Sequence, residues 1–74
     1  MKNIREIDFT SELIGVMYER TSAEANLLDA VTKIERQYWS GAVDSFDLVI
    51  HIMTGYPSNE VYAELDRRNG CTVG

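Results

Sequence analysis

From Phe9 onward the apolar residues of the chain recur with the spacing of an α-helix. Thr10 or Ser11 can cap this first helix, after a loosely ordered lead-in over residues 1–8. Gly15 weakens a helix, so a strand over residues 13–20 is the competing prediction. The apolar positions that carry the pattern are Leu13, Ile14, Val16 and Met17.

A second apolar series follows the sequence Thr21-x-x-Glu24, which is the signature of a capping box. The series continues to Tyr38 and predicts a helix over Ser22–Tyr38. Gly41 and the small polar residues around it, "SGAVDS", then predict a break. The apolar positions of this helix are Leu27, Leu28, Val31, Ile34 and Tyr38.

The apolar run Phe46–Met53 fits both a strand and a helix, because its residues satisfy either period. Its β-branched residues slightly favour a strand. However, the sequence offers no second strand to accept its hydrogen bonds, and Asp44 or Ser45 can cap a helix. We therefore favour a short helix.

The segment "PSNEVYAELDRRNG" predicts a last helix that Ser58 caps and that Asn69-Gly70 ends. Val61, Tyr62 and Leu65 form its inward stripe. The four segments together predict one all-α domain over residues 1–74, a small four-helix bundle with a short third helix.

The charge of the chain is acidic, with twelve Asp and Glu residues against seven Lys and Arg residues and a net charge of −5. Such a surface repels phosphate backbones and anionic membranes, which argues against nucleic acid or a membrane as partner. It attracts a basic protein, although moderate acidity also serves solubility alone. The single cysteine, Cys71, excludes an internal disulfide, and we expect a free thiol in a cytoplasmic protein.

No pattern in the sequence predicts a cofactor, a metal site or an enzyme. Asp47 and His51 offer only two metal ligands, fewer than a site requires. A phosphate-binding glycine loop, a nucleophile elbow and a CxxC pair are all absent from the sequence.

A protein-binding surface is therefore the remaining candidate site. In the second predicted helix, four residues share one stripe beside the core positions, and a core role for Leu28 is the alternative. Asp47 and His51 share a face of the next element, where a helix-dipole role and a half-buried histidine are the alternatives. The stripe of the second helix consists of Glu24, Leu28, Thr32 and Glu35.

Four segments in the same order resemble the small acidic immunity proteins that inhibit colicin and pyocin nucleases. They are "IDFTSE", "SAEANLLDAVTKIE", "DLV" and "PSNEVYAELDRRNG". The resemblance implies a four-helix inhibitor that binds beside the active site of a toxin nuclease. The toxin-contacting positions that it implies are Glu24, Leu27, Leu28, Val31, Thr32, Glu35 and Asp47. Where the family has two adjacent tyrosines, this chain has Ile50 and His51.

The leading hypothesis is thus a non-enzymatic inhibitor, a monomer or weak homodimer, whose partner is a basic toxin domain. Glu24, Leu28, Thr32, Glu35, Asp47, Ile50 and His51 are its candidate partner-binding residues. One alternative is a phage-encoded acidic inhibitor of a host nucleic-acid-binding or defence protein. Another is a helical oligomerisation module, because the apolar residues outnumber what the short helices can bury alone.

Overall fold

The structure is a computed structural model that describes residues 3–70, so the expectation for Cys71 lies outside the described part. These residues form a 3-10 turn, Ile4–Glu6, and three α-helices: α1 (Ser11–Asp29), α2 (Lys33–Thr54) and α3 (Ser58–Arg68). Within this range the chain is all-helical and contains no strand. The predicted all-α class is confirmed, whereas the predicted number of four helices is wrong.

The difference lies in where the chain breaks. The predicted second helix, Ser22–Tyr38, is divided between the second half of α1 and the first turns of α2, with a short connection at residues 30–32. The predicted break at Gly41 lies inside α2, and so does the run Phe46–Met53, which is helical but is not a short helix of its own. The alternative strands at residues 13–20 and 46–53 are likewise absent.

The N-termini of α1 and α2 have side-chain caps, whereas that of α3 has none. Thr10 accepts a hydrogen bond from the Leu13 amide at the start of α1, as predicted. At the end of α2, Gly55 has a φ of 81°, a left-handed conformation that glycine adopts without steric cost. The last helix has the predicted position, but Pro57 rather than Ser58 is its N-cap residue. Asn3 caps the 3-10 turn, so the lead-in is partly ordered.

The main core cluster lies at one end of the molecule, and Ala23 on α1 and Val43 on α2 are buried outside it. Leu13, Ile50 and Val61 are fully buried, so each helix contributes one of the largest buried side chains. Ile7 and Met17 complete this cluster. Tyr62 links α3 to α1, because its hydroxyl group donates to the carbonyl oxygen of Met17 at 2.5 Å.

Beyond this core, α1 and α2 pack against each other as a helical hairpin that extends past α3. The molecule is consequently elongated, with extents of 41 × 32 × 18 Å and a radius of gyration of 13.7 Å. A compact chain of this length has a radius of gyration of about 11 Å. The projecting part of the hairpin carries much of the apolar surface described below.

Candidate protein-binding surface

The connection of the hairpin is built from extended backbone rather than from glycine or proline. Ala30 ends α1 and Thr32 precedes α2, and both have extended φ and ψ angles. Thr32 and Glu35 form a reciprocal capping box: the Glu35 amide donates to Thr32 Oγ1 at 3.1 Å, and the Thr32 amide donates to Glu35 Oε1 at 3.2 Å. This capping box fixes the start of α2 at the tip of the hairpin.

Three large apolar side chains at this tip are almost fully exposed, and we call Leu28, Val31 and Ile34 the tip patch. Their exposed fractions are 83%, 81% and 79%. Glu24, Asp29 and Glu35 are exposed acids close to the patch along the chain. An apolar group of this size on a small protein is typical of an interaction site.

The outward face of α2 is also apolar. Tyr38, Leu48 and Ile52 are exposed by 67%, 59% and 71%. The sequence pattern placed Tyr38 in the core, but it lies at the surface, where its ring meets the Trp39 ring edge to face with centroids 4.9 Å apart. The opposite face of α2 carries the buried Val43 and Ile50. One helix therefore has two apolar faces.

The predicted stripe of the second helix does not lie on a single helix. Glu24 and Leu28 are exposed on α1, whereas Thr32 and Glu35 belong to the start of α2. Both halves nevertheless lie at or next to the hairpin tip, because the connection joins them directly. Leu28 is exposed rather than part of the core, and Leu27 is half-buried.

Asp47 is half-buried between the helices. Its Oδ1 atom accepts a hydrogen bond from Arg20 Nε on α1 and one from Ser58 Oγ on α3, the latter at 2.5 Å. Burial acts to lower the pKa of Arg20, but the hydrogen bond and charge of Asp47 outweigh it, with a smaller contribution from Glu24, so that this pKa is raised. Arg20 also lies over the Tyr62 ring. Asp47 thus joins the three helices.

The remaining two predicted positions differ in exposure. Ile50 is completely buried, so its side chain packs in the core and does not belong to any surface in this structure. His51 is exposed in the last turn of α2. Helical spacing alone does not predict that Ile50 is buried and His51 exposed, because burial depends on where α1 and α3 pack against α2.

A second ionic cluster connects α3 to the N-terminal segment. Glu64 is buried and accepts hydrogen bonds from Arg67 and Arg68, which lower its pKa despite the opposing effect of burial. Arg68 also donates to the carbonyl oxygens of Ile7 and Arg5. We call Glu64 and Arg68 the terminal clasp, because they hold residues 5–7 against α3.

The structure also bears on metals and membranes. Among residues 3–70, no three His, Asp or Glu side chains are grouped so that they could hold a metal ion. None of the helices in this range combines the length and the apolar character that a membrane span needs.

No family model, curated protein or solved structure matches the chain.

Proposed function

We propose that this protein is a non-enzymatic inhibitor of the immunity type, which binds a basic toxin domain through the tip of its hairpin. The tip patch carries this proposal, because three large apolar side chains lie exposed beside acidic residues. In protein interfaces, a desolvated apolar centre supplies most of the binding energy. Surrounding charges steer the encounter and select the partner.

The acidic balance of the whole chain, and not the immediate surroundings of the patch, favours a basic partner, because acids and bases are equal in number immediately around the patch. Asp29 is the last residue of α1 and Glu35 lies in the first turn of α2, so both acids are held beside the connection. Lys33 and Arg36 are the bases nearest to the patch along the chain. The whole chain nevertheless has a net charge of −5. Inhibition then follows from bulk and charge at the toxin's nucleic-acid site, and no residue of this chain needs to act chemically.

Capture of a partner from the source cells tests the proposal. The wild-type chain serves as bait beside two variants, Leu28→Asp in the tip patch and Tyr18→Asp, an exposed residue on the same helix away from the tip. We expect the wild type and Tyr18→Asp to capture a basic protein. Leu28→Asp should bind it at least about tenfold more weakly, a loss of roughly 1.4 kcal/mol.

Charge reversal gives a second matched pair. Asp29→Arg at the tip should weaken capture, whereas Glu19→Arg, an exposed acid elsewhere on α1, should not. The captured domain should lose its nuclease activity when the wild-type chain is added. Capture of no basic protein, equal binding by the Leu28 and Tyr18 variants, or an unaffected nuclease would each refute the proposal.

A further inference from the structure

The outward face of α2 carries a continuous stripe with the alternating spacing of three and four residues that is found in coiled coils. Every residue of the stripe is exposed, and it runs along the side of the helix opposite the buried Val43 and Ile50. The stripe consists of Ile34, Tyr38, Gly41, Ser45, Leu48 and Ile52. We call it the outer stripe.

The spacing of small and large apolar positions in the outer stripe is the same in both directions from Val43. Ile34 and Ile52 are nine positions from this centre, and Tyr38 and Leu48 are five positions from it. Gly41 and Ser45 are two positions from it. The two ends of the stripe are thus large and apolar, whereas its middle is small.

We propose that the outer stripe binds a second copy of this chain, with the two α2 helices antiparallel and related by a two-fold axis at the level of Val43. A two-fold interface requires a surface that is complementary to itself. In this arrangement Ile34 packs against the partner's Ile52 and Tyr38 against the partner's Leu48. Each large apolar residue therefore meets another one.

The small residues suit the crossing point of two helices. Apart from its chain neighbours and the nearby backbone of its own helix, a Cβ atom built on Gly41 would meet no atom within 4 Å, so no other element of the described chain covers this position. A glycine inside a helix costs about 1 kcal/mol relative to alanine. It also permits another backbone to approach closely, which gives Gly41 a role that its own chain does not provide.

The size of the stripe indicates a weak dimer. From Ile34 to Ile52 the helix rises by roughly 27 Å. A face of this length and one helix wide lies near the low end of specific interfaces, at roughly 1,200 Å² in total. We expect dissociation constants in the micromolar range.

Electrostatics separates this dimer from a complex with a basic partner. Asp44 lies beside the small middle of the stripe and is exposed. Two-fold pairing brings it near the partner's Asp44, and salt screens this repulsion. Raising NaCl from about 50 to 500 mM should therefore strengthen the dimer, whereas it weakens binding of an acidic surface to a basic protein.

Sedimentation of the full chain under reducing conditions, over roughly 1–500 µM, tests the proposal. Tyr38→Lys and Leu48→Glu should each raise the dissociation constant at least about tenfold, because a charge then faces an apolar residue across the axis. The double variant should recover most of the affinity, since antiparallel pairing places each new lysine opposite the partner's new glutamate. Parallel pairing would place like charges together and make the double variant the weakest.

Two controls keep the outcome unambiguous. Leu28 lies outside the outer stripe, so Leu28→Asp should leave the dimer intact. Leu48 lies outside the tip patch, so Leu48→Glu should still capture the toxin-type partner. Circular dichroism confirms that each variant is helical. A monomer at every concentration, a dimer that weakens with salt, or a double variant weaker than either single variant would overturn the proposal.

Discussion

At the scale of single residues, Asp47 illustrates how spacing and burial differ. The sequence places Asp47 and His51 on one face of a helix, and this remains true in α2. Only the structure shows that Arg20 and Ser58 reach Asp47 from two other helices, while His51 stays exposed. Contacts that span 27 and 11 residues in sequence leave no local signal in the pattern.

Loss of the Asp47 carboxylate should destabilise the fold. Asp47→Ala leaves the half-buried Arg20 without its strongest partner, so we expect a loss of about 2 kcal/mol in the free energy of unfolding. Ser58→Ala removes one hydrogen bond and should cost about 1 kcal/mol. Urea denaturation monitored by circular dichroism measures both.

Asp44→Ala is the matched control for Asp47→Ala, because Asp44 is an exposed acid on the same helix. We expect it to change the free energy of unfolding by less than about 0.5 kcal/mol. Equal effects at Asp44 and Asp47 would contradict the structural role of Asp47.

At the scale of elements, the sequence predicted the helical class correctly but placed breaks before Ser22 and at Gly41, where the structure has continuous helix, and missed the break at residues 30–32. Both Thr21-x-x-Glu24 and Thr32-x-x-Glu35 match a capping box, and only the second forms one. Thr21 lies inside α1, where its hydroxyl group donates to the Met17 carbonyl oxygen at 3.0 Å and lies 3.2 Å from the Tyr62 hydroxyl group. The packing of α1 along α2 stabilises the helix by more than Gly41 destabilises it. A local sequence pattern does not show this tertiary stabilisation.

Replacing Gly41 by alanine should raise the stability of the monomer and lower the affinity of the dimer. At a concentration where the chain is monomeric, Gly41→Ala should stabilise it by about 0.5–1 kcal/mol, because alanine favours a helix. The added methyl group at the proposed helix crossing should weaken the dimer severalfold. Thermal unfolding and sedimentation measure the two effects separately.

Gly15→Ala is the matched control, since Gly15 is an exposed glycine inside α1 that also has open space around it. It should give a similar gain in stability without changing dimer affinity. If both variants affected the dimer equally, Gly41 would have no special place in the interface.

At the scale of the whole molecule, the core cluster and the tip patch lie in different parts, whereas the outer stripe extends along α2 from the tip to the core end. The core cluster joins the first half of α1, the end of α2 and α3. The tip patch lies at the other end of the hairpin, beyond α3. The core cluster, which the terminal clasp supports, therefore leaves the tip patch exposed at the other end of the hairpin.

The terminal clasp should make this end sensitive to acid. The pKa of Glu64 is lowered in the folded state by hydrogen bonds from Arg67 and Arg68. A carboxyl group with a lowered pKa stabilises the fold fully above its unfolded pKa, which is near 4.5, and loses this contribution as the pH falls through its folded pKa. The melting temperature of the wild type should thus be level above about pH 5 and fall towards pH 3.

Glu64→Gln separates this group from the other carboxylates. The variant should have a lower melting temperature than the wild type at pH 7, because the amide bears no charge to pair with Arg67 and Arg68. Its melting temperature should also fall less on acidification, so that the melting temperatures of the variant and the wild type converge near pH 3. Asp66→Asn, at an exposed position of the same helix, should keep the fall of the wild type. If the melting temperature of Glu64→Gln fell on acidification as much as that of the wild type, other carboxylates would cause the acid sensitivity, and the terminal clasp would not.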